Sequence, residues 1–316
     1  MMEEGRTPKI VDVARLAGVS TATVSRTLSK PETVAQKTRD AVLKAAKESG
    51  YRVNLSARSL RSRRTGVVGV LVPNLGNTFF SRILAGIEST LARKGLSVLM
   101  VDTMHQTTKP EFILDYLNDS RVDGILSLDG SLSPTLLQAG QATAGLLPTV
   151  FVCEWHDQGN HPSIRVDNLQ GSALAIDHLV ALGHTKIGLI NGPLDNVLSK
   201  ARLSGALAAI KKANLKIDDS WQFKSDFSLQ SGVAAADSLL TLRDRPTALF
   251  CANDETAIGL ISQLHRRGFY VPKDFSVVGF DDIDIARHYL PALTTIWQPR
   301  MELGEIGAQM LIERLE

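Results

Sequence analysis

The sequence predicts two parts of different fold class: an all-α helix-turn-helix head, and an α/β core of two subdomains with doubly wound parallel sheets. Two short helical patterns flank a tight turn near the start of the chain. Positive charge is concentrated in the first 64 residues, and after Thr65 short apolar runs alternate with helical stretches. Such alternation is typical of parallel sheets covered by helices on both faces.

The head is centred on a turn between two amphipathic patterns, at about 9–17 and 21–28. Gly18 can adopt the left-handed conformation that ends a helix, and Ser20 is a good N-cap for the next one. Two short helices joined in this way form a helix-turn-helix, whose second helix enters the major groove of DNA. A longer third helix is predicted at about 35–49, so we assign residues 1–53 to a DNA-binding domain.

The next segment, residues 54–65, is too short and too charged to form a stable helix alone. One interpretation is a solvated linker. The other is a hinge helix that folds only when it pairs with its twin on DNA. In that case Leu60 would wedge between base steps from the minor groove, and the arginines would meet phosphates.

Charge is divided unequally along the chain. Residues 1–64 contain 14 Lys and Arg against six Asp and Glu, a net charge of +8, whereas the remainder carries −6. A basic head on an acidic body is expected of a chain that meets a polyanion at one end only.

The location of the protein is predicted from its cysteines and its first residues. Cys153 and Cys251 lie in apolar runs without metal-ligand spacing, which favours buried free thiols in a reducing compartment. The N-terminal residues lack the apolar segment of a signal peptide, and no stretch approaches the length of a membrane span. We therefore expect a cytoplasmic protein without a membrane partner.

The core, residues 66–316, divides near 164–168 into a first subdomain of about 66–165 plus 297–316 and a second of about 166–296. Strands are predicted at 66–72, 96–102, 122–128, 149–153, 185–190, 221–227, 247–252, 276–281 and 293–297. Helices are predicted at 79–94, 109–118, 134–141, 169–182, 202–213, 231–242, 254–267 and 301–315. In doubly wound folds ligands bind beyond the carboxyl ends of the strands.

Polar and aromatic side chains follow five of these strands. They are Asn74, Phe79 and Phe80 after the first, Trp155 after 149–153, Phe227 after 221–226, Asn253 after 247–252, and Asp281 with Asp282 at the end of 276–281. Taken singly, each is more often a strand-end cap or a core aromatic than a ligand contact. Five such loops on one sheet edge favour a binding site for a neutral polyhydroxylated or heterocyclic molecule.

Catalytic motifs are absent from the sequence. It contains no Gly-x-Ser-x-Gly elbow, no phosphate-binding loop and no Gly-x-Gly-x-x-Gly after a strand, and no histidine lies near Asp281 in a ligand spacing. We therefore expect that the protein is not an enzyme and that it has neither a cofactor nor a metal site. Two alternatives remain: a solute-binding protein of the periplasmic type, which a signal peptide would indicate, and a sugar- or nucleoside-modifying enzyme.

Distinctive motifs occur in both parts of the chain. They include Asp12-Val13-Ala14, Gly18-Val19-Ser20, Thr23-Val24-Ser25-Arg26, Gly50-Tyr51, Asn54, Ala57-Arg58-Ser59-Leu60, Asp167-Asn168, Gly183-His184, Asn253-Asp254, Gly279-Phe280-Asp281 and Leu293-Thr294-Thr295-Ile296. Through these motifs the sequence resembles the LacI family of bacterial transcription repressors over essentially its whole length.

The resemblance implies a homodimer that binds a pseudo-palindromic operator in double-stranded DNA. The leucine heptads with which some members form tetramers are absent. Arg26 would be the strongest base reader, because a guanidinium can pair with both acceptors of a guanine. The DNA-binding residues implied by position are Thr21, Ala22, Ser25 and Arg26 in the major groove, with Asn54, Ala57, Arg58 and the intercalating Leu60 in the hinge.

The resemblance also implies a core like that of periplasmic sugar-binding proteins, with a small-molecule effector between the subdomains. Effector binding would close the cleft and change how the two protomers present the hinge to DNA. A sugar is the first expectation and a nucleoside the second. The implied effector-binding residues are Phe79, Phe80, Trp155 and Phe227 as walls, and Asn74, Arg202, Asn253 and Asp281 as polar partners.

Overall fold

The computed structural model describes residues 8–51, 64–104, 122–131, 147–156 and 161–316. The chain divides into two compact units, Met1–Thr65 and Gly66–Glu316. The hinge residues Asn54, Ala57, Arg58 and Leu60 lie outside the described residues, as do the helices predicted at 109–118 and 134–141. Within the described part, no helix combines the length and the apolar character that crossing a membrane requires.

Within the described residues, the head contains three α-helices: α1 (Ile10–Ala17), α2 (Thr21–Ser29) and α3 (Gln36–Ser49). Gly18 ends α1 in the left-handed conformation with φ 65°, and the Ser20 hydroxyl caps α2 by accepting a hydrogen bond from the Thr23 N–H at 3.1 Å. Both features of the predicted turn are therefore confirmed. The small core of this unit consists of Val13, Ala14, Val24, Val42 and Ala45.

The core unit contains, within the described residues, two five-stranded parallel sheets. The strands are β1 (Val67–Val72), β2 (Ser97–Asp102), β3 (Gly124–Ser127), β4 (Thr149–Val152) and β5 (Ser163–Ile164) in the first sheet, and β6 (Ile187–Asn191), β7 (Gln222–Lys224), β8 (Ala248–Cys251), β9 (Ser276–Asp281) and β10 (Thr294–Trp297) in the second. The strand orders are β2-β1-β3-β4-β5 and β10-β9-β8-β6-β7. The predicted fold class is confirmed.

Helices cover the sheets, because most strands are apolar on both faces. They are α4 (Phe79–Arg93), α5 (Asn168–Ala181), α6 (Val197–Lys212), α7 (Leu229–Thr241), α8 (Asp254–Arg266) and α9 (Arg300–Leu315). In β8, Ala248 and Phe250 pack with the cluster of α5 and α6, whereas Leu249 and Cys251 belong to the cluster that contains α7 and α8. Alternate residues of one strand thus pack against the helix layers on opposite faces of the sheet.

The chain passes from the first sheet to α5 between Ile164 and Asn168, and it returns between Trp297 and Arg300. The final helix, α9, packs against α4, β3 and β4. We therefore call β1–β5 with α4 and α9 the first subdomain, and β6–β10 with α5–α8 the second subdomain. Their parallel strands end at a common cleft.

Three elements differ most from the sequence prediction. The short edge strand β5 was not predicted, and β7 ends at Lys224 because the backbone turns through Phe227, whose φ is 69°. Helix α6 begins at Val197, five residues before the predicted start. The reason is that the Asn196 side chain caps it, accepting hydrogen bonds from the Leu198 and Ser199 N–H groups at 2.9 and 3.2 Å.

Helices α4 and α9 approach each other so closely that backbone lies against backbone. A Cβ atom added at Gly304 would overlap the carbonyl oxygen of Ile83, and one added at Gly86 would overlap that of Met301. The distance between α4 and α9 therefore depends on glycine at both positions, because any larger residue would push the two helices apart.

We predict that Gly304→Ala destabilises the protein although alanine favours an isolated helix over glycine by about 1 kcal/mol. Forced separation of the two helices should lower the free energy of unfolding by about 1–3 kcal/mol. Urea denaturation at a fixed protomer concentration measures the change. Gln309→Ala, on the exposed face of the same helix, is the matched control; a Gly304→Ala variant more stable than wild type would contradict the close packing.

Candidate functional site

A cavity of about 210 Å³ lies at the carboxyl ends of strands from both sheets. We call it the cleft cavity. Seven of the eight effector-binding residues predicted from the sequence line it, and they come from both subdomains: Asn74, Phe79, Phe80, Arg202, Phe227, Asn253 and Asp281. The fold therefore brings together residues that lie up to 207 positions apart in the sequence.

Two phenylalanines begin α4 and form one wall of the cleft cavity. The Phe79 and Phe80 rings pack edge to face, with centroids 5.2 Å apart and an interplanar angle of 74°. The loop before them is held by side-chain caps: the Asn77 carbonyl oxygen accepts from the Phe79 N–H at 2.9 Å, and the Asp102 carboxylate accepts from the Leu75 N–H at 3.0 Å. The rings are thus fixed before any ligand enters.

Phe227 lines the same cavity from the second subdomain. Its backbone is left-handed, with φ 69°. The Ser225 hydroxyl accepts from the Phe227 N–H at 3.0 Å, and the Asn253 side-chain amide donates to the Phe227 carbonyl at 2.9 Å. A conformation that costs energy in isolation is therefore held by hydrogen bonds on both sides of the residue.

Arg202 is only 2% exposed, and its guanidinium joins several segments of the second subdomain. Nε donates to the Asn168 side-chain oxygen at 2.9 Å, Nη1 donates to the Ala252 carbonyl at 2.5 Å, and Nη1 lies 3.4 Å from an Asp281 carboxylate oxygen. The guanidinium carbon lies 3.9 Å from the Phe280 ring centroid. Nη2 has no hydrogen bond to the described protein atoms, and the side chain lines the cleft cavity.

Asp281 ends β9 with φ 122°, a region that residues other than glycine rarely adopt. Its Oδ1 atom accepts from the Gln298 side-chain amide at 2.7 Å, while Oδ2 accepts no hydrogen bond from the described residues. Burial raises the pKa of the Asp281 carboxyl, and the positive charge of Arg202 opposes this rise. Both side chains line the cleft cavity, which brings a carboxyl group and a guanidinium group to the same site.

Glu154 is a cavity residue that the sequence analysis missed, although it lies beside the predicted Trp155. Its Oε2 atom accepts from the Gly130 N–H, and Oε1 accepts from the Asn196 side-chain amide, both at 2.8 Å. Burial raises the pKa of the Glu154 carboxyl from 4.5 to about 7, and the charge of Asp129 adds to the rise. The Asn196 contact joins the first subdomain to the second.

Trp155 does not line the cleft cavity. The backbone turns at Cys153, whose φ is 74°, and Glu154 rather than Trp155 reaches the cavity. The indole instead lies against Arg165, with the guanidinium carbon 4.4 Å from the ring centroid. Trp155 therefore contacts the segment through which the chain passes between subdomains.

Two further polar contacts join the subdomains near the cavity. The Thr78 N–H donates to the Glu255 carboxylate at 3.2 Å. Arg82 makes a bidentate ion pair with Asp284, at 2.8 and 3.0 Å. Together with the bond between Glu154 and Asn196, they connect the two subdomains across the cleft. Among the described residues, no group of three His, Cys, Asp or Glu side chains is placed to hold a metal ion.

The second helix of the head presents the predicted DNA-contacting residues on one side. Thr21, Ala22 and Arg26 are exposed and Ser25 is half-buried. Val24 and Thr27 are buried on the opposite side. The helix thus shows a small polar face with one arginine, which is the shape and chemistry that a major groove admits.

We predict a pH-dependent stability that depends on Glu154. Between about pH 4.5 and 7 the folded chain holds this proton and the unfolded chain does not, so stability falls as pH rises through this window. The loss is about 3 kcal/mol in the free energy of unfolding. Glu154→Gln should flatten this part of the profile, as measured by urea denaturation across the window.

Glu302→Gln, an exposed substitution on α9, is the control for the loss of one acidic side chain. Other buried acids, Asp281 among them, titrate in both wild type and variant, so the difference between the two profiles isolates Glu154. Parallel profiles for wild type and Glu154→Gln would show that the buried carboxyl does not titrate in this window.

Comparisons with known proteins match the head and the core to two different domain families. Residues 9–54 match the family described as bacterial regulatory proteins, lacI family, and residues 176–316 match a periplasmic binding protein-like domain. The chain is 36% identical over 308 residues to the HTH-type transcriptional repressor PurR of Aliivibrio salmonicida (strain LFI1238), covering 97% of this chain and 92% of that protein. It is 37% identical over 305 residues to the HTH-type transcriptional repressor CytR of Escherichia coli (strain K12), covering 96% and 89%.

A solved structure resembles the chain along its length. The lac repressor dimer bound to operator and the anti-inducer ONPF superimposes with a TM-score of 0.85 at 30% identity, covering 98% of this chain and 93% of that one. These alignments with repressors include both the head and the core of this chain. The chain belongs to the lacI family of bacterial regulatory proteins.

Proposed function

We propose that this chain is a cytoplasmic transcriptional repressor that binds operator DNA as a homodimer and responds to a small hydroxylated effector in the cleft cavity. The observation that carries the proposal is a cavity lined from both subdomains by three phenylalanines, Arg202 and Asp281, in a chain whose head exposes a helix suited to the major groove. No catalytic role is proposed, and the relatives are named as repressors.

The assignment of residues to these roles follows the sequence prediction. We propose that residues 1–53 bind DNA, that 54–65 form the hinge, and that 66–316 bind the effector and dimerise. The contacts proposed for DNA are Thr21, Ala22, Ser25 and Arg26 in the major groove, with Asn54, Ala57, Arg58 and Leu60 in the hinge.

The charges around the cleft cavity favour an uncharged effector. Arg202 faces Asp281, so its positive charge is already balanced. Glu154, Asp226 and Glu255 add carboxyl groups to the lining. A phosphate or carboxylate ligand would meet this surplus of acid, whereas the hydroxyls of a neutral ring can donate to Asp281 and accept from Arg202.

The aromatic walls favour a flat apolar face on the effector. Phe79, Phe80 and Phe227 can pack against the C–H face of a sugar ring or against a nucleobase. The cavity lies below the usual size range of ligand pockets, about 300–1,000 Å³, which favours a small molecule. We therefore propose a sugar, with a nucleoside as the second candidate because its base suits the same aromatic walls.

The coupling between effector and DNA follows from the closed cleft. A ligand that contacts both subdomains binds the closed arrangement more tightly than the open one and shifts the population toward it. The contacts between the subdomains, Arg82 with Asp284 and Glu154 with Asn196, stabilise that same arrangement. The change in subdomain orientation then alters how the two heads of the dimer meet their half-sites.

We predict that two substitutions separate the two activities. Arg26→Ala should weaken binding to an operator selected by the wild-type protein from random duplexes by about 5- to 150-fold, since one bidentate base contact is worth about 1–3 kcal/mol. Asp281→Asn should abolish the thermal shift caused by unphosphorylated sugars or nucleosides and leave operator affinity intact. Fluorescence anisotropy and thermal unfolding measure the two effects.

Lys47→Ala is the matched control for the loss of one positive charge in the head, because Lys47 is exposed on α3. It should cost less affinity than Arg26→Ala and reduce specific and non-specific binding equally. Equal losses of operator affinity in both variants would contradict the base-reading role of Arg26. A loss of operator affinity in unliganded Asp281→Asn would contradict the separation of the two sites.

A further inference from the structure

The cleft cavity has a larger neighbour. A second cavity of about 630 Å³ is lined by Thr103, Asp129, Ser131, His156, Asp195 and Lys200. Five residues line both cavities: Pro73, Met104, Glu154, Pro193 and Asn196. These five form a shared wall, which we call the partition.

The polar part of the partition is the hydrogen bond between Glu154 and Asn196, 2.8 Å long. It reaches from the loop after β4 to the cap of α6, and so from one subdomain to the other. Pro73 and Pro193, which also line both cavities, lie in the loops after β1 and β6. The partition is therefore built from strand-end residues of both sheets.

The partition is held by further contacts on both sides. Glu154 also accepts from the Gly130 N–H at 2.8 Å. The Asn196 oxygen accepts from the Leu198 and Ser199 N–H groups, so its amide nitrogen faces Glu154 in a fixed direction. Neither side chain can rotate away without leaving buried backbone donors unsatisfied, which costs about 1–3 kcal/mol. The positions of both side chains in the partition are therefore set by their contacts with the backbone.

The two cavities differ in chemistry. The cleft cavity has three phenylalanine rings in its lining, whereas the second cavity has none among the described residues and is lined by hydroxyl, carboxylate and ammonium groups from Thr103, Asp129, Asp195 and Lys200. Groups of this kind hydrogen-bond the hydroxyls of a second sugar ring. A two-ring molecule would occupy both cavities only if its linkage passed through the partition.

We propose that the hydrogen bond between Glu154 and Asn196 determines effector length: it confines the effector to a single ring and closes off a second subsite for a hydroxylated ring. This inference rests on the proposed function, because it concerns the ligand of the same cleft. It narrows the ligand to a monosaccharide-sized molecule and excludes disaccharides and nucleosides.

The test is Asn196→Ser in the full-length dimer. Serine still caps α6 but is too short to reach Glu154, so the helix is kept and the partition is opened. The probes are glucose, ribose, maltose, cellobiose, adenosine and cytidine, with binding measured by calorimetry. We expect wild type to bind only a single-ring probe, and Asn196→Ser to gain at least tenfold in affinity for a two-ring probe.

Asp167→Ser is the matched control, because it exchanges the N-cap of another helix in the second subdomain, α5, at an exposed position. It should leave the ligand profile of wild type unchanged. Glu154→Ala removes the other partner of the hydrogen bond and should increase the affinity for the same two-ring probe. This second variant keeps the test valid if Asn196→Ser does not fold.

The outcomes distinguish this inference from the proposed function. Wild type that binds a disaccharide or a nucleoside more tightly than any monosaccharide overturns the inference and leaves the proposed function standing. The same holds if both opened variants keep the wild-type profile. Wild type that binds no probe overturns the proposed ligand class, and the inference with it.

Discussion

A buried guanidinium at the carboxyl edge of the second sheet is the constraint on which the rest of the core depends. Arg202 cannot leave water without partners, because an unpaired buried charge costs several kcal/mol. Its partners are Asn168 at the start of α5, the Ala252 carbonyl after β8, and Asp281 at the end of β9. One side chain therefore fixes the relative positions of three segments that border the cleft cavity.

The same constraint connects the ligand site to the contacts between subdomains. Asp281 is followed by Asp282 and Asp284, and Arg300 donates to the Asp282 carbonyl at 2.8 Å and to the Asp284 carboxylate at 3.0 Å. Asp284 in turn pairs with Arg82 of the first subdomain. A ligand that engages Asp281 acts on the first residue of a short segment whose fourth residue forms an ion pair with the first subdomain. This continuity is the physical basis for the coupling that we propose.

Most of the architecture could be predicted from the sequence, because it depends on local signals. Gly18 and Ser20 mark the turn of the head, and apolar runs mark the strands. Strand-end polar residues also predicted the cavity lining. Side-chain direction could not be predicted: the left-handed turn at Cys153 brings Glu154 into the cavity and places Trp155 against Arg165. Neither periodicity nor composition carries that information. The cap at Asn196, by contrast, is a local signal, because an asparagine before a helix commonly accepts from the next N–H groups, and the sequence analysis overlooked it.

The most direct test of the account is the reciprocity of its two sites. The operator dissociation constant is measured with and without saturating effector, and the effector dissociation constant with and without operator, at one salt concentration. Coupling through the closed cleft predicts two equal ratios, on the order of 5 to 150. Ratios of one for both ligands, with both still bound tightly, would show that the cavity does not control the head.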